Sequence, residues 1–242
     1  MSATHINETL LNVKNDIMNE IHHTILWKYT GKPVIQDEQL FFMMLPFLNG
    51  KLFDEQQKQN VKAVAIVHAS LAEHEKIKEH SAFEKDQQLT VLSGDYYSGM
   101  YYQLLAKAGN IQLIQSLAKG IVLRCEQHIK VYEAILIDQH HFNSMIEIVE
   151  SELIINYFNV IGATEYTPIV KEALTVIGLK AIYEDVKQNE SKIIFTKIID
   201  NGTSILELEQ LIEARKQNLQ KLLTSSTLKD TLQKVIEEYC LS

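Results

Sequence analysis

Apolar residues recur along most of this chain at intervals of three and four, which is the spacing of one face of an α-helix. The β-branched residues follow the same spacing and do not alternate with polar residues as they would in strands. The first predicted helix extends as far as Gly31-Lys32-Pro33, which breaks it. Its inward face is predicted to carry Leu10, Val13 or Lys14, Ile17, Ile21 and Ile25.

The same pattern predicts helices along the rest of the chain. Asn49-Gly50 and Gly109-Asn110 end two of them, residues 80–86 form a polar loop, and Ser204 with Glu207 gives a capping box. The helix that contains the first motif below has a predicted inward face of Val61, Val64, Ala65, Val67, His68 and Leu71. The predicted helices cover about Glu38 to Leu48, Asp54 to Glu79, Gln87 to Ala108, and 111–138, 143–161, 166–188, 191–200, 204–223 and 227–240.

The 242-residue chain contains no low-complexity linker and no internal repeat that would indicate a solenoid. Apolar residues make up 46% of it, which is enough for a large core, and 9 glycines and 3 prolines are few enough for long helices. We therefore predict an all-α helical bundle that forms a single domain over residues 1–242.

The charge of the chain excludes some partners. A net charge of −8 argues against binding to a nucleic-acid backbone through electrostatics. Arg124 and Arg215 are the only arginines, although the arginine side chain suits phosphate recognition best. A complete diphosphate site within this chain is therefore disfavoured.

Cysteine and histidine usage gives no sign of a metal site. Cys125 and Cys240 lack metal-like spacing, and two thiols in a reducing cytosol are a simpler interpretation than a disulfide. The pairs His22-His23 and His140-His141 diverge on a helix, so no bound metal is predicted. Residues 1–19 lack an apolar signal segment and no run of 18 apolar residues occurs, so we expect a cytoplasmic chain with no transmembrane segment.

Four segments follow one another in a recognisable order. The first contains Ile66-Val67-His68 and ends in His74-Glu75-Lys76-Ile77-Lys78-Glu79. The second is Gly94-Asp95-Tyr96-Tyr97-Ser98-Gly99, the third runs from Glu150 to Ala163, and the fourth from Ile177 to Val186. Together they resemble the trans-prenyl diphosphate synthase family over about Gly31 to Asn189.

In that family the first segment reads like LIHxASLxHDDxxD, and its aspartates bind Mg²⁺ ions that hold an allylic diphosphate. Laid on this chain without gaps, its histidines fall on His68 and His74, and its three aspartates on Glu75, Lys76 and Glu79. A lysine at the middle position repels a metal ion at close range. The first motif is therefore predicted to be vestigial.

The third and fourth segments also lack residues that contact diphosphate or Mg²⁺ in the family. Glu150 stands where the family has a lysine that contacts diphosphate. Asp185 matches the first aspartate of the family's second aspartate-rich motif, while Val186 and Asn189 replace the other two. Within the family this pattern resembles the small non-catalytic subunits of heterodimeric long-chain synthases, of the heptaprenyl or hexaprenyl diphosphate synthase component I type.

This resemblance implies an isoprenoid-synthase-like bundle that has no catalytic residue and no cofactor of its own. It implies a catalytic partner subunit that carries the DDxxD motifs, Mg²⁺ and the isoprenyl diphosphates, in a heterodimer or a larger assembly for menaquinone side-chain synthesis. This chain would stabilise the partner and help set product length, and the lipid product would give it a route to the membrane surface. In active relatives, residues one helical turn before the first aspartate control product length, and the matching positions here are Ser70 and Leu71.

Simpler structural roles stay open at these positions. The charged run from Glu73 to His80 is also typical of a solvated helix end, and an inward-facing His68 is more often a core histidine than a ligand. Asp95 suits a hydrogen-bonded structural role. Tyrosines at these positions are expected in a core, but in the family the helix that carries the second segment lies at the dimer interface. An interface or structural role is therefore predicted for Asp95, Tyr96, Tyr97 and Tyr101, within a tyrosine band that includes Tyr102.

Two other functions are compatible with the sequence. A divergent stand-alone terpenoid enzyme would use Glu75, Glu79 and Asp185 to bind Mg²⁺. A helical adaptor unrelated to isoprenoids would have no synthase as its partner. Prenyl transfer by the chain alone would favour the first alternative, and the absence of any complex with a synthase would favour the second.

Overall fold

The computed structural model describes residues 2–77, 85–132, 139–188 and 205–241, and every regular element within them is helical. This confirms the all-α prediction. The elements are α1 (Ala3–Glu20), α2 (Thr24–Thr30), α3 (Asp37–Leu48), α4 (Glu55–Glu75), α5 (Lys85–Lys107), α6 (Ile111–Tyr132), α7 (Gln139–Ile161), a 3-10 turn (Thr164–Tyr166), α8 (Thr167–Lys187), α9 (Ile205–Thr224) and α10 (Asp230–Cys240).

The chain divides into two compact units. The first comprises Met1–Gln115 and the second Ser116–Ser242. The boundary falls within α6, one turn after that helix begins, and each unit has its own packed helices. The single domain predicted for residues 1–242 stays a prediction.

The prediction of one continuous helix up to Gly31 was wrong. Helix α1 ends at Glu20 and α2 begins at Thr24, because the Nδ1 atom of His23 accepts a hydrogen bond from the Leu26 N–H at 3.2 Å and caps a new helix. The interruption changes which residues face inward. Leu26 is buried, whereas Ile25, predicted to face the core, is 61% exposed.

Two helices form the centre of the first unit. Every residue of α3 from Gln39 to Leu48 is buried, and so is every residue of α4 from 63 to 70. A helix that is apolar on all sides must be surrounded by other helices, which is the position that α3 and α4 occupy. Leu71 departs from the predicted inward face, since it is only half-buried.

Several helix boundaries differ from their predictions. Helix α4 ends at Glu75, before the predicted Glu79, which lies outside the described residues. Helices α5 and α7 begin earlier than predicted, at Lys85 and Gln139. Outside the described residues lie Ser204 of the capping box, the helix predicted at 191–200, residues 133–138 of another helix and most of the 80–86 loop.

Helix α10 starts at Asp230 and not at residue 227. The Ser226 hydroxyl donates to the Leu223 carbonyl at 2.8 Å and accepts from the Leu228 N–H at 3.4 Å, which keeps the chain in a turn. Leu228 is 6% exposed, so this turn also contributes a residue to the core.

The core of the second unit lies among α6, α7, α8 and α9. Phe142, on the first turn of α7, is fully buried, and Arg124 on α6 donates to the Val149 carbonyl at 2.6 Å. The residues of this core are Val131, Phe142, Met145, Ile146, Val149, Leu179, Ile182, Leu208 and Ile212.

Cys125 is exposed and Cys240 is buried, and no disulfide joins them. Among the residues that the structure describes, none of the helices has both the length and the hydropathy needed to cross a bilayer.

Candidate functional site

The first two predicted segments meet where α4 packs on α5. His68 on α4 is 7% exposed, which agrees with its interpretation as a core histidine. Two residues further along α4, the Ser70 hydroxyl donates a hydrogen bond to the Gly94 carbonyl at 2.8 Å. This buried bond ties the two segments together, and it occupies the hydroxyl of a residue predicted to control product length.

His74 and Gly94 fit against each other. A Cβ atom at position 94 would lie 2.6 Å from the His74 ring, so only glycine leaves room for the imidazole in this position. The ring's Nε2 atom is 3.6 Å from Oδ1 of Asp95, which is too long for a hydrogen bond but close enough for attraction when the ring is protonated. The Asp95 side chain is 65% exposed, so its predicted role stays a prediction.

Lys76, which takes the place of a metal-binding aspartate, pairs with a buried glutamate. The ammonium group of Lys76 bonds to Oε1 of Glu73 at 2.5 Å, and the Glu73 side chain is only 2% exposed. Sequence reasoning missed Glu73, because the family motif leaves that position open. Glu75 is exposed, and Glu79 lies outside the described residues. The lysine that interrupts the motif therefore neutralises a carboxylate one helical turn earlier.

The paired Glu73 carboxylate is a poor ligand for a magnesium ion. Mg²⁺ is held through carboxylates and phosphate oxygens in octahedral geometry, whereas here an ammonium group already occupies Glu73. Within the described ranges, no three or more histidine, cysteine, aspartate or glutamate side chains come together as metal ligands could. In the described part of the α4–α5 pair, these side chains supply packing and charge neutralisation.

The tyrosines of α5 divide into two groups. Tyr97 is fully buried, and its hydroxyl accepts a hydrogen bond from the Trp27 Nε1–H at 3.1 Å. Burial raises the pKa of the Tyr97 hydroxyl above its ordinary value. Tyr101 is also buried and Tyr96 is half-buried, whereas Tyr102 is 55% exposed. Tyr97 and Tyr101 thus serve the core of their own unit, and their predicted interface role stays a prediction.

The third and fourth segments meet in the second unit. The Glu150 side chain on α7 packs over Gly178 on α8, where an added Cβ would lie 2.6 Å from its Cγ atom. Asp185 is 6% exposed near the end of α8, and it is followed by the half-buried Val186. Asn189 lies outside the described residues. The glutamate in the lysine position therefore fills space between two helices.

An unpredicted charge cluster joins α7, α8 and α9. Arg215 on α9 donates to Glu147 Oε2 and to Glu172 Oε1, both at 2.9 Å, and to the Asn143 side chain. Lys171 adds a second cation at 2.7 Å from Glu147. Arg215 and Arg124 are both buried, so both arginines of the chain serve the interior of the second unit.

The two glutamates of this cluster have pKa values shifted in opposite directions. Burial pushes the pKa of Glu147 up, but the hydrogen bonds from Lys171 and Arg215 outweigh it and hold that pKa below its ordinary value. Burial raises the pKa of Glu172, and Arg215 does not fully offset it. The difference has a structural cause, because Glu172 contacts one cation and its Oε2 atom has no hydrogen-bond partner among the described residues.

These shifts predict different results for two matched variants. The low folded pKa of Glu147 stabilises the fold above the unfolded pKa of about 4.3, and this contribution is lost as the pH falls through the folded value. Glu147→Gln should therefore lower the free energy of unfolding at pH 7 by about 1–2 kcal/mol, with a smaller difference in acid. Glu172→Gln resembles the protonated form that the fold prefers and should cost less than about 0.5 kcal/mol. Urea unfolding of both variants from pH 3 to 8 tests this, and equal losses at pH 7 would contradict it.

Comparison with known proteins gives a family match over most of the chain. The model of the family described as heptaprenyl diphosphate synthase (HEPPP synthase) subunit 1 matches residues 23–227. Over 71 residues the chain is 37% identical to heptaprenyl diphosphate synthase component 1 of Geobacillus stearothermophilus. That alignment covers 29% of this chain and 32% of the relative, so the chain matches about a third of the relative's length.

Solved structures show the same fold across nearly the whole chain. A heptaprenyl diphosphate synthase from Staphylococcus aureus is 11% identical, with a TM-score of 0.74 and 98% of each chain covered. A mint heterotetrameric geranyl pyrophosphate synthase is 12% identical, with a TM-score of 0.59 and 99% of each chain covered. At such low identity these likenesses establish the fold alone, and they confirm the isoprenoid-synthase-like bundle predicted from the sequence.

Proposed function

Because the chain belongs to the heptaprenyl diphosphate synthase subunit 1 family, we propose that it is the non-catalytic subunit of a heteromeric long-chain prenyl diphosphate synthase. The observation that carries this proposal is Lys76, which stands where an active synthase of the family has a metal-binding aspartate and which pairs with the buried Glu73. The burial of both arginines in the second unit supports the proposal further, because buried arginines are not available at the surface to bind a diphosphate.

The partner in this proposal is a catalytic subunit that carries intact DDxxD motifs. It binds Mg²⁺ and the isoprenyl diphosphates, and it condenses isopentenyl diphosphate with an allylic diphosphate into the side chain of menaquinone. The present chain stabilises the active conformation of that subunit and helps set product length through Ser70 and Leu71. The assembly works in the cytoplasm and reaches the membrane surface with its lipid product.

Exposed stripes on α5 and α6, each of which carries apolar residues, are the surfaces we assign to the partner. On α5, Leu92, Asp95, Gly99 and Tyr102 follow one another at spacings of three and four and are all exposed. An added Cβ at Gly99 would meet no atom within 4 Å, so the backbone is uncovered there. On α6 the same spacing relates Ala118, Val122, Cys125 and Ile129, and Ile111 lies two turns before Ala118; all five are exposed. Exposed stripes that carry apolar side chains at this spacing are typical of protein interaction sites.

The test of this function is reconstitution with a DDxxD-bearing synthase encoded beside this chain. Each protein is purified alone and assayed with Mg²⁺, an allylic diphosphate and radiolabelled isopentenyl diphosphate, and the mixture is then assayed. We expect long-chain product only from the mixture. Product from this chain alone would establish a stand-alone enzyme. No complex and no gain in activity would establish an unrelated adaptor.

Variants of the stripes test where the partner binds. Leu92→Arg on α5 and Val122→Arg on α6 each place a charge in an apolar stripe and should weaken association about tenfold or more. Leu52→Arg is the matched control, because Leu52 is 77% exposed between α3 and α4 and lies outside both stripes. Association is measured by titration calorimetry and activity by the mixed assay. Unchanged affinity in both stripe variants would overturn the assignment of these surfaces.

A further inference from the structure

The segment around α2 presents exposed apolar and aromatic side chains beside lysines. Ile25 is 61% exposed and Tyr29, one helical turn later, is 46% exposed, so both lie on the outer face of α2. Val34, just beyond the helix, is 58% exposed. Trp27, the only tryptophan of the chain, is half-buried between this surface and α5, where its N–H is held by Tyr97.

Three lysines lie over the aromatic rings of this surface. The ammonium groups of Lys28 and Lys85 are 5.6 and 5.5 Å from the centre of the Tyr29 ring, and that of Lys32 is 5.7 Å from Trp27. Each distance is within the range of a cation–π contact. All three lysine residues are exposed, so their ammonium groups contact the rings and remain accessible from solvent.

The charge of this surface is opposite to that of the chain. The chain carries −8 in total, yet residues 21–36 contain no aspartate or glutamate. The acids that flank this segment are paired with other lysines, since Asp37 bonds to Lys14 at 2.5 Å and Glu20 to Lys62 at 3.3 Å. Glu38, Glu84 and Asp86 are further acids near in sequence, so the positive balance is that of residues 21–36, which carry Lys28 and Lys32.

We propose that the α2 surface, formed by Ile25, Lys28, Tyr29, Lys32, Val34 and Lys85, docks this subunit onto an anionic phospholipid bilayer. Tyrosine and tryptophan suit the boundary between headgroups and acyl chains, an exposed isoleucine enters the outer acyl region, and lysine ammonium groups bind lipid phosphates. A helix of seven residues is about 10 Å long, so the contact is shallow and reversible. The surface belongs to the first unit alone and does not depend on the catalytic partner.

Trp27 makes the test direct, because any change in tryptophan fluorescence comes from this surface. The full chain is titrated with vesicles of phosphatidylcholine alone and with vesicles that contain equal parts of phosphatidylglycerol. We expect binding to the anionic vesicles, with a blue shift of the emission and quenching by lipids brominated near the headgroup. Each lysine replaced by glutamine should weaken binding about fivefold, and Ile25→Glu at least tenfold. Rising salt should weaken binding by the wild type.

Leu52→Glu is the matched control for Ile25→Glu, since it places the same charge on another highly exposed aliphatic residue, and it should bind as the wild type does. Far-UV circular dichroism verifies the fold of each variant.

Equal binding to neutral and anionic vesicles, no binding to either, or undiminished binding by Ile25→Glu would each overturn the proposal. If the same variants weaken association with the catalytic subunit while vesicles are not bound, the surface is a protein interface instead. The vesicle titration and the reconstitution assay test separate proposals. Failure to bind vesicles would not contradict the proposed subunit function, and failed reconstitution would not contradict membrane docking.

Discussion

The Arg215→Met variant should lose about 3 kcal/mol of its free energy of unfolding, the largest loss we expect from a single substitution. Arg215 is 9% exposed and makes four hydrogen bonds that join α9 to Asn143 and Glu147 on α7 and to Glu172 on α8. Methionine fills a similar space but leaves two largely buried glutamates with less positive charge to balance them. The measurement is urea unfolding followed by far-UV circular dichroism.

Two further variants separate loss of charge from loss of geometry. Arg215→Lys keeps one positive charge but cannot reproduce the fork that reaches both glutamates, so about half of the loss should remain. The triple variant Arg215→Met/Glu147→Gln/Glu172→Gln removes both negative charges and should regain most of the lost stability. If the triple variant were as unstable as Arg215→Met, packing and not charge would account for the loss.

The sequence predicts the helices of this fold well, and it fails where a local hydrogen bond decides the structure. Apolar content and helix-ending residues such as Asn49-Gly50 located α3, α4 and α8 to within a few residues. The break between α1 and α2 depends on the His23 ring as a helix cap, and histidine is not a residue that usually signals one. The late start of α10 likewise depends on the Ser226 hydroxyl.

The candidate site was located by the order of its motifs, while its internal contacts could not be predicted. The resemblance placed His74 and Gly94 in the right segments, and the structure brings them into contact. Nothing in the sequence distinguishes Glu73 from its charged neighbours, because burial depends on how α4 packs on α5. Arg215 and Asn143 are 72 residues apart, so no local pattern could have indicated their bond.

Lys76→Met should lower the free energy of unfolding by about 2 kcal/mol. The substitution leaves the Glu73 carboxylate, which is 2% exposed, without the ammonium group that bonds to it. The Oε2 atom of the same carboxylate is buried and has no hydrogen-bond partner among the described residues, so it cannot compensate. The loss is smaller than for Arg215 because Lys76 is 43% exposed and water partly replaces it. Urea unfolding at pH 7 measures it.

The double variant Glu73→Gln/Lys76→Met is the control, since it removes both charges and should regain most of the lost stability. Lys76→Asp restores the family's aspartate at this position, yet it should cost more than Lys76→Met, because it places a second negative charge one turn from Glu73. If Lys76→Asp were instead tolerated and gave Mg²⁺-dependent prenyl transfer by the chain alone, the α4 motif would be a dormant metal site. The expected result is an unstable and inactive variant, because Lys76 is held in place by the carboxylate that it neutralises.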